Sequence, residues 1–293
     1  MNLDKFAKLY RVDNPDKFRL DEWDPRDTGK LDIGKKEAKN LLAEGVKRLS
    51  ELQEKLYAQD RWAVLLIFQA MDAAGKDSVI EHVMKGVNPQ GCEVHSFKQP
   101  SEEELDHDFM WRSARRLPQR GRIGIFNRSY YEEVLVVRVH PEVLAKEKMP
   151  STLVTKDIWK ERFKDIRAFE RYLARNGTLI LKFFLHVSKG EQRKRFLERL
   201  DEPSKNWKFS MGDLAERSLW DKYMAAYEDM IRNTSRPAAP WHVVPADNKW
   251  FTRLVVAAEV VEALDRLNLK FPSVTGVERR ELDKARKILR NSR

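Results

Sequence analysis

The chain has 293 residues, of which 42% are hydrophobic and 35% are charged, and its formal net charge is +10. This length suits one large α/β domain with additions, or two small domains, and the excess of base favours acidic partners such as nucleic acid, an anionic membrane or phosphorylated substrates. The single cysteine, Cys92, excludes a disulfide framework within the chain. No segment approaches the ~18 continuous apolar residues of a membrane span, and the N-terminus lacks the apolar core of a signal peptide, so we expect a cytoplasmic protein with no membrane partner.

The first 60 residues are predicted to form an N-terminal unit. Residues 1–34 are polar with few periodic apolar side chains, so we expect an extended, partly ordered arm there. Apolar residues at helical spacing then predict an amphipathic helix over residues 35–58. A main domain over residues 61–272 and a basic, solvated tail over residues 273–293 are expected to follow.

The segment 62–80 has the arrangement of a phosphate-binding turn. Its apolar run, residues 63–68, predicts a buried strand, small residues follow, and a helical pattern begins after Lys76. Backbone N–H groups at such a helix start point at an anion, and the lysine adds a mobile charge. The match to G-x-x-x-x-G-K-[ST] is imperfect, because Ala70 replaces the first glycine and Asp77 the hydroxyl residue. An ordinary strand-to-helix turn with a solvated lysine is the alternative.

The residues of this turn are candidates for phosphate and metal binding. The phosphate-binding candidates are Ala73, Ala74, Gly75, Lys76, Asp77 and Ser78. A carboxylate within such a turn repels a phosphate unless a cation lies between them, and Mg²⁺ satisfies both groups. Asp72 therefore suggests a metal–phosphate site, whereas Asp77 is more typical of an ordinary residue in the first turn of a helix.

A second strand and an arginine-rich helix are predicted after the turn. Residues 92–97 alternate between polar and apolar, as a strand does. A capping box starts a helix near residue 101, and Pro118 ends it. Arg112, Arg115 and Arg116 are spaced so that they share one face of this helix.

A third strand, residues 122–127, ends at a cluster of polar residues. Its last residue is Asn127, and Arg128 and Glu132 follow at once. Ligands bind at the carboxyl ends of strands in open α/β sheets. The sequence therefore places a ligand site at this end of the third strand.

The remaining elements continue the alternation of helices and strands. A helix over residues 156–176 ends at Gly177, and a fourth strand, 178–187, is interrupted by Lys182. A capping box of Ser188 and Glu191 starts a helix rich in basic residues that runs to residue 200.

The last part of the predicted domain begins with a basic loop. Residues 201–213 form this loop, and a helix of about twenty residues continues to residue 231. A fifth strand covers residues 241–245, and Asn248 caps a buried helix over residues 250–267. Five strands alternating with helices predict a three-layer α/β fold.

The surplus of basic side chains suits a polyanion longer than a nucleoside triphosphate. The residues concerned are Arg112, Arg115, Arg116, Arg128, Lys182, Arg193, Arg195, Arg199, Lys205 and Lys208. Charge runs on helices are usually solvated, so we expect about half of them to contact phosphate.

Six motifs in order resemble the polyphosphate kinase 2 family over about residues 17–272. They are DPRDT (24–28), AMDAAGKDS (70–78), FNRSYYEEVLVVRV (126–139), TLILKFFLHVS (178–188), RLDEPSKNWKFSMGDLAERSLWDKY (199–223) and WHVVPADNKW (241–250). Where some members carry Asp, this chain has Asn127, and in this it is similar to the group often called class III, which phosphorylates both AMP and ADP.

The resemblance implies a P-loop kinase-like fold similar to that of thymidylate kinases, with a parallel five-stranded sheet, helices on both faces and a helical lid at about residues 193–217. It implies Mg²⁺-dependent phosphate transfer between inorganic polyphosphate and the nucleotides ADP, AMP and ATP. Asp72 and Lys76 match the family's Walker A acidic residue and lysine. Asn127 and Arg128 match its Walker B region, and Glu132 matches the acidic position that follows.

These residues combine into a hypothesis for the site. Asp72 and Glu132 would hold the metal, and Lys76 and Arg128 would neutralise the transferred phosphate. Polyphosphate would follow a basic groove lined by Arg112, Arg116, Lys182, Arg199 and Lys208. Two alternatives remain open: an ATP-dependent nucleotide kinase, from the phosphate turn itself, and a nucleic-acid binding protein, from the net charge, although no specific nucleic-acid partner is expected. A homo-oligomer is expected, and base preference, the choice between AMP and ADP, and reaction direction are not fixed by the sequence.

Overall fold

A parallel sheet of five strands forms the centre of the molecule. The computed structural model describes Phe6, residues 8–29 and residues 35–292. The strands are Ala63–Gln69 (β1), Cys92–Ser96 (β2), Ile123–Asn127 (β3), Thr178–His186 (β4) and Trp241–Pro245 (β5), in the order β2-β3-β1-β4-β5. All five predicted strands are confirmed to within two residues at each end. Every residue of central β1 is buried, which explains its continuous apolar run, because a parallel strand is covered on both faces.

Helices cover both faces of the sheet. They are Lys35–Gln59 (α1), Lys76–Val83 (α2), Glu102–Leu105 (α3), Trp111–Ala114 (α4), Val136–Val139 (α5), Pro141–Leu144 (α6), Ile158–Arg175 (α7), Lys189–Asp201 (α8), Met211–Ser218 (α9), Trp220–Thr234 (α10), Lys249–Asp265 (α11) and Gly276–Asn291 (α12). Helix α11 lies between the sheet and α1, so most of its surface is buried, while α7 and α10 pack together with β4 on the other side. The predicted three-layer α/β fold is confirmed.

The part of the N-terminal arm that the structure describes, Phe6 and residues 8–29, is more ordered than the sequence predicts. The Val12 amide donates to the Trp241 carbonyl at 2.9 Å, and the Val243 amide donates to the Tyr10 carbonyl at 2.8 Å, so the arm runs along the edge of β5. Tyr10, Val12, Phe18 and Leu20 are buried. Tyr10 and Val12 are only two apolar residues, two positions apart, which is too short a pattern to predict a strand. Their backbone hydrogen bonds nevertheless cover the edge of β5.

Four local predictions of secondary structure are wrong. The single helix expected from residue 101 to Pro118 is two short helices, α3 and α4, because Asp108 turns the chain by accepting from the Met110 amide at 2.9 Å. The helix expected up to residue 231 is divided between α9 and α10. Asn248 does not cap α11, since its side chain donates to the Arg26 carbonyl at 3.1 Å. Ser188 accepts from the Glu191 amide as expected, but the Glu191 carboxylate binds Arg195 instead of closing the capping box.

The C-terminal tail is helical. All residues of α12 are exposed, which agrees with the expectation of a solvated tail. Among the described helices, none is both long and apolar enough to cross a membrane.

Candidate active site

The turn between β1 and α2, hereafter the phosphate loop (residues 70–76), has the backbone of an anion cradle. Ala73 has a φ of +61° and Gly75 a φ of +106°, and these left-handed conformations turn the chain sharply before the first turn of α2. Gly75 is the residue that precedes the helix, so the unpaired N–H groups of the α2 N-terminus face the loop. Ala70 keeps a negative φ, which explains how it replaces the expected glycine.

Lys76 folds back over the phosphate loop. Its Nζ donates to the Ala70 carbonyl at 2.8 Å. Burial, and then repulsion by the Arg128 guanidinium, lower the pKa of Lys76 to about 8. The Lys76 amine is therefore largely protonated at neutral pH, and its ammonium has few partners. Such a side chain can turn away from the loop to bind an incoming anion.

Arg128 lies between the two expected metal-binding carboxylates. Its Nη2 lies 2.9 Å from Asp72 Oδ1, and its Nη1 lies 3.5 Å from Glu132 Oε2. The backbone of Arg128 has a φ of +65° and donates to the Phe68 carbonyl at 2.9 Å, so the residue is held at the carboxyl ends of β3 and β1 together. Burial raises the pKa of Glu132, against the attraction of Arg128 and Lys76.

Helix α8 holds the phosphate loop from the opposite side. The Arg195 guanidinium donates to the carbonyls of Ala73 at 3.0 Å and Ala74 at 2.8 Å, and also to those of Ala246 at 2.7 Å and Asp247 at 3.1 Å. Arg195 is 4% exposed, so it is bound within the protein and does not belong to an open basic surface. No signal in the sequence separates it from its basic neighbours on α8.

A second side chain of α8 also holds the loop. The Gln192 amide donates to the Asp72 carbonyl at 2.9 Å, and its carbonyl oxygen accepts from Arg217 Nη1 at 2.7 Å. Arg217 lies on α9, so the phosphate loop, α8 and the proposed lid are joined by one chain of hydrogen bonds. Sequence reasoning missed Gln192, which is an uncharged residue in a charged helix.

Three predicted site residues form contacts that stabilise the fold around the loop. Asn127 Nδ2 donates to Asp77 Oδ1 at 2.6 Å, which joins the end of β3 to the first turn of α2. The Ser78 hydroxyl accepts from Arg253 Nη2 of α11 at 2.7 Å. Asp77 and Ser78 thus lie beside the phosphate loop with their side chains already paired.

A cavity of about 250 Å³ opens next to Arg128 and Glu132. Its lining includes Arg112, which donates to the Lys98 carbonyl at 2.9 Å and lies 3.3 Å from Glu104. Apolar side chains complete the wall, namely Leu105, Phe109, Val136, Val137 and Val143. This mixture of an apolar wall and a few charged groups is typical of a small-molecule site.

One wall of this cavity carries a pair of acidic residues. Arg162 lies 2.7 Å from Glu133 Oε1 and 3.5 Å from Glu147 Oε2. Burial, and then the neighbouring Glu133 carboxylate, raise the pKa of Glu147 to about 8. The pair therefore keeps a proton at neutral pH, and this wall offers a donor as well as acceptors.

The other predicted polyphosphate residues are only partly brought together. Arg116 is exposed and is not among the residues that line the cavity. Arg199 lies 3.7 Å from Asp213 of α9 and donates to the Lys208 carbonyl at 3.3 Å. Lys208 is exposed and lies 5.0 Å from the Trp207 ring. The segment from Arg199 at the end of α8 to the end of α9 therefore forms a compact flap that carries Lys205 and Lys208, with Trp207 78% exposed.

The prediction that Lys182 lines the groove is wrong. Its side chain is fully buried in the middle of β4 and bound to Glu170 of α7 at 2.7 Å. A lysine that interrupts an apolar strand can face solvent or a buried partner, and the sequence pattern does not distinguish the two cases. Lys182 is therefore out of reach of any groove ligand.

Asp72 and Glu132 are the two candidate metal ligands of the site. Among the described residues no group of three or more His, Cys, Asp or Glu side chains is placed to hold a metal ion. Asp72 and Glu132, 28% and 15% exposed, are two carboxylates on either side of Arg128. Two oxygen donors beside a phosphate loop fit Mg²⁺, which is commonly bound by one or two carboxylates together with substrate phosphates.

Comparison with known proteins identifies the family. The family model described as "Polyphosphate kinase 2" matches residues 32–272. A protein of Rhodopseudomonas palustris named ADP-polyphosphate phosphotransferase is 53% identical over 97% of this chain and 98% of its own length. A protein of Meiothermus ruber named AMP/ADP-polyphosphate phosphotransferase is 49% identical over 90% of this chain and 95% of its own.

A solved structure agrees with this result. The crystal structure of polyphosphate kinase 2 from Arthrobacter aurescens TC1 superposes with a TM-score of 0.86 at 41% identity, covering 95% of this chain and 96% of that one. The resemblance seen in the six motifs is thus confirmed along nearly the whole chain, and the fold is that of its relative. The chain belongs to the polyphosphate kinase 2 family.

Proposed function

We propose that this protein transfers the terminal phosphate of inorganic polyphosphate to ADP, and also to AMP, in a reversible reaction. The observation that carries the proposal is the convergence of Lys76, Arg128, Asp72 and Glu132 at the phosphate loop, where Arg128 and Glu132 also line the cavity of about 250 Å³. The loop suits the donor's terminal phosphate, and the cavity suits the acceptor nucleotide. The names of the Rhodopseudomonas and Meiothermus relatives support the same donor and acceptors.

The chemistry requires little covalent participation from the protein. A terminal phosphate oxygen of the nucleotide attacks the terminal phosphorus of polyphosphate, and the bond from that phosphorus to the bridging oxygen breaks. The nucleotide gains one phosphate, and the polyphosphate leaves one phosphate shorter. Lys76 leaves the Ala70 carbonyl to bind the transferred group, while Arg128, fixed between Asp72 and Glu132, neutralises charge where donor and acceptor meet.

Asp72 and Glu132 would hold Mg²⁺, which when bound supplies charge neutralisation between the donor and acceptor phosphates. In the described contacts Arg128 occupies the position between these carboxylates. When substrate binds, its guanidinium would exchange one of these carboxylates for a substrate phosphate. Arg128 is thus the residue that exchanges partners when substrate arrives.

The acceptor is proposed to lie with its phosphates toward Arg128 and its base against the inner wall of the cavity. Arg112, which also lines the cavity, would contact these phosphates. The apolar side chains and the protonated Glu133–Glu147 pair form the other end, where a nucleobase can make both apolar contacts and hydrogen bonds. The flap that carries Arg199 and Lys208 would close over the donor and exclude water.

The direct experiment supplies Mg²⁺ and long-chain polyphosphate with ADP or AMP, adds no ATP, and separates the products by ion exchange. ATP from ADP, and ADP from AMP, are the expected products, and Lys76→Ala should reduce the rate by about two to three orders of magnitude. Absence of nucleotide product with polyphosphate, together with transfer from ATP to AMP, would favour the ATP-dependent kinase instead. Retention of the parental rate by Lys76→Ala would remove the phosphate loop from the mechanism.

Two further expectations stay predictions. A homo-oligomer is supported by the exposed apolar side chains of α12, which include Val277, Ile288 and Leu289, and light scattering on the full chain and on a chain ending at residue 272 tests it. The cytoplasmic location is tested by cell fractionation.

A further inference from the structure

A buried network of charges lies in the core behind the candidate site. Lys182 is 0% exposed, and its Nζ lies 2.7 Å from Glu170 Oε2, 2.8 Å from the Tyr131 hydroxyl and 2.9 Å from the Thr234 carbonyl. Glu170 is itself 2% exposed, and its Oε1 accepts from Tyr131 at 2.7 Å and from Tyr130 at 2.9 Å. Every charged or polar group of the network therefore has a partner within the protein.

Such a network is an energetically unfavourable way to join α7 to β4. Removing an ammonium and a carboxylate from water carries a desolvation penalty that their mutual attraction often does not offset. Replacing a buried ion pair by packed apolar residues of similar volume is therefore often neutral or stabilising. Burial lowers the pKa of Lys182 to about 8 despite the attraction of Glu170, so the ammonium is still charged at neutral pH. Helix–strand packing alone does not require this arrangement. The network also binds two other side chains, the phenols of Tyr130 and Tyr131.

Those groups belong to the turn after β3. Tyr130 and Tyr131 lie in the chain between Arg128 and Glu132, and both phenol hydroxyls donate to the same Glu170 oxygen. Burial, and then the charge of Glu170, raise the pKa of both phenols well above its usual range. They therefore remain protonated donors at every pH at which the protein is assayed.

The turn needs restraints from outside because its own backbone is strained. Arg128 adopts a φ of +65°, a left-handed conformation that an arginine rarely takes. Ser129 supplies one restraint, since its hydroxyl accepts from the Tyr131 amide at 3.1 Å and from Gln69 of β1 at 3.3 Å. The bond from the Arg128 amide to the Phe68 carbonyl is a second restraint, and the two tyrosines supply a third by fixing the turn to Glu170.

We propose that Lys182 and Glu170 are positioning residues, which act through Tyr130 and Tyr131 to fix the turn that carries Arg128 and Glu132. The proposal rests on the proposed function, because it assigns the turn to phosphate transfer. Glu170 provides the acceptor that both phenols share, and Lys182 holds that carboxylate in place and neutralises it. Loss of the network should let the turn shift while the phosphate loop, which Gln192 and Arg195 of α8 hold independently, stays in place, so the rate of the chemical step falls more than substrate binding does.

The test replaces both charges at once with apolar side chains. Lys182→Met/Glu170→Leu leaves no unpaired buried charge, but it leaves the Tyr130 and Tyr131 hydroxyls without their acceptor, so the thermal midpoint should fall and kcat is measured at a temperature where the variant is folded. The rate constant kcat for ADP and polyphosphate should fall by about 10- to 100-fold, as for a displacement of about 1 Å in a catalytic group, with KM for both substrates little changed. Lys182→Met/Glu170→Gln restores a neutral acceptor for the two phenols, and it should recover much of the lost kcat.

Two controls separate positioning from general loss of structure. Tyr130→Phe/Tyr131→Phe removes only the two hydroxyls and should lower kcat in the same way, and it decides the question if the apolar double variant does not fold. Val256→Ala creates a cavity in buried α11, remote from the turn, so it should lower the thermal midpoint and leave kcat at assay temperature unchanged.

Parental kcat in folded Lys182→Met/Glu170→Leu, or in the tyrosine double variant, would overturn the positioning role. If the parent itself makes no ATP from polyphosphate and ADP, the proposed function fails instead. The same variants, compared with the parent in transfer from ATP to AMP, then still test the positioning role.

Discussion

Arg195 is the residue whose replacement most directly tests how α8 holds the phosphate loop. Arg195→Met keeps much of the apolar stem and removes four hydrogen bonds to main-chain carbonyls, at 3.0, 2.8, 2.7 and 3.1 Å. It also removes the partner of Glu191 at 2.9 Å. Hydrogen bonds from a charged donor contribute roughly 1.5–3 kcal/mol each but are not additive. Breaking a buried charged cluster typically destabilises a protein by about 3–5 kcal/mol, and we expect a loss of that order.

Two measurements follow from that magnitude. For a chain of this size the loss corresponds to a fall of roughly 6–20 °C in the thermal midpoint, followed by circular dichroism. A loop that shifts by about 1 Å should also lower kcat for ADP phosphorylation by roughly 100-fold at a temperature where the variant is folded.

A neighbouring arginine provides the matched control. Arg193 lies two residues away on α8 and is exposed, so Arg193→Met should change the free energy of unfolding by no more than about 0.5 kcal/mol. If Arg195→Met and Arg193→Met both keep the thermal midpoint and the kcat of the parent, the four hydrogen bonds of the Arg195 guanidinium do not hold the phosphate loop in place.

Three further outcomes are expected. Burial and Arg128 lower the pKa of Lys76 to about 8, so the side chain loses its charge in the free enzyme as pH rises through that value. The ratio kcat/KM for polyphosphate should therefore decline above pH 8. A flat profile up to pH 10 would contradict this. Ser78→Ala should cost about 1 kcal/mol in stability, read from urea unfolding, through loss of the bond from Arg253, whereas a large fall in kcat would show that the hydroxyl serves the substrate. Ending the chain at residue 272 removes α12, whose residues are all exposed within one chain, so ADP phosphorylation should be unchanged even where light scattering shows a smaller oligomer, and a large fall in kcat would show that α12 contributes to the site.

Much of the fold could be predicted because its signals are local. The buried run of β1, the small residues of the turn and Lys76 are contiguous, and each depends on hydrophobicity or on backbone freedom that a sequence displays. The same is true of the polar cluster that ends β3, since in parallel sheets the carboxyl ends of neighbouring strands meet. For this reason Lys76, Arg128, Asp72 and Glu132, chosen from separate motifs, lie together in the structure.

The errors concern side chains whose partners lie in other elements of the fold. Arg193 and Arg195 are the same residue type on one helix, yet one is exposed and the other is buried against carbonyls more than fifty residues and more than one hundred residues away. Lys182 was predicted to line the groove because the sequence does not show that Glu170, on the preceding helix α7, packs against β4 at that position.

By itself, the sequence determined the family, the order of strands and helices, and the strand–turn–helix arrangement around Lys76, because those properties arise from contiguous patterns. Tertiary structure alone decided which charged residues face a ligand and which are consumed inside the protein. The physical reason is that a buried charge requires a partner, and the partners of Lys182, Arg195 and Asp77 are supplied by other elements of the fold.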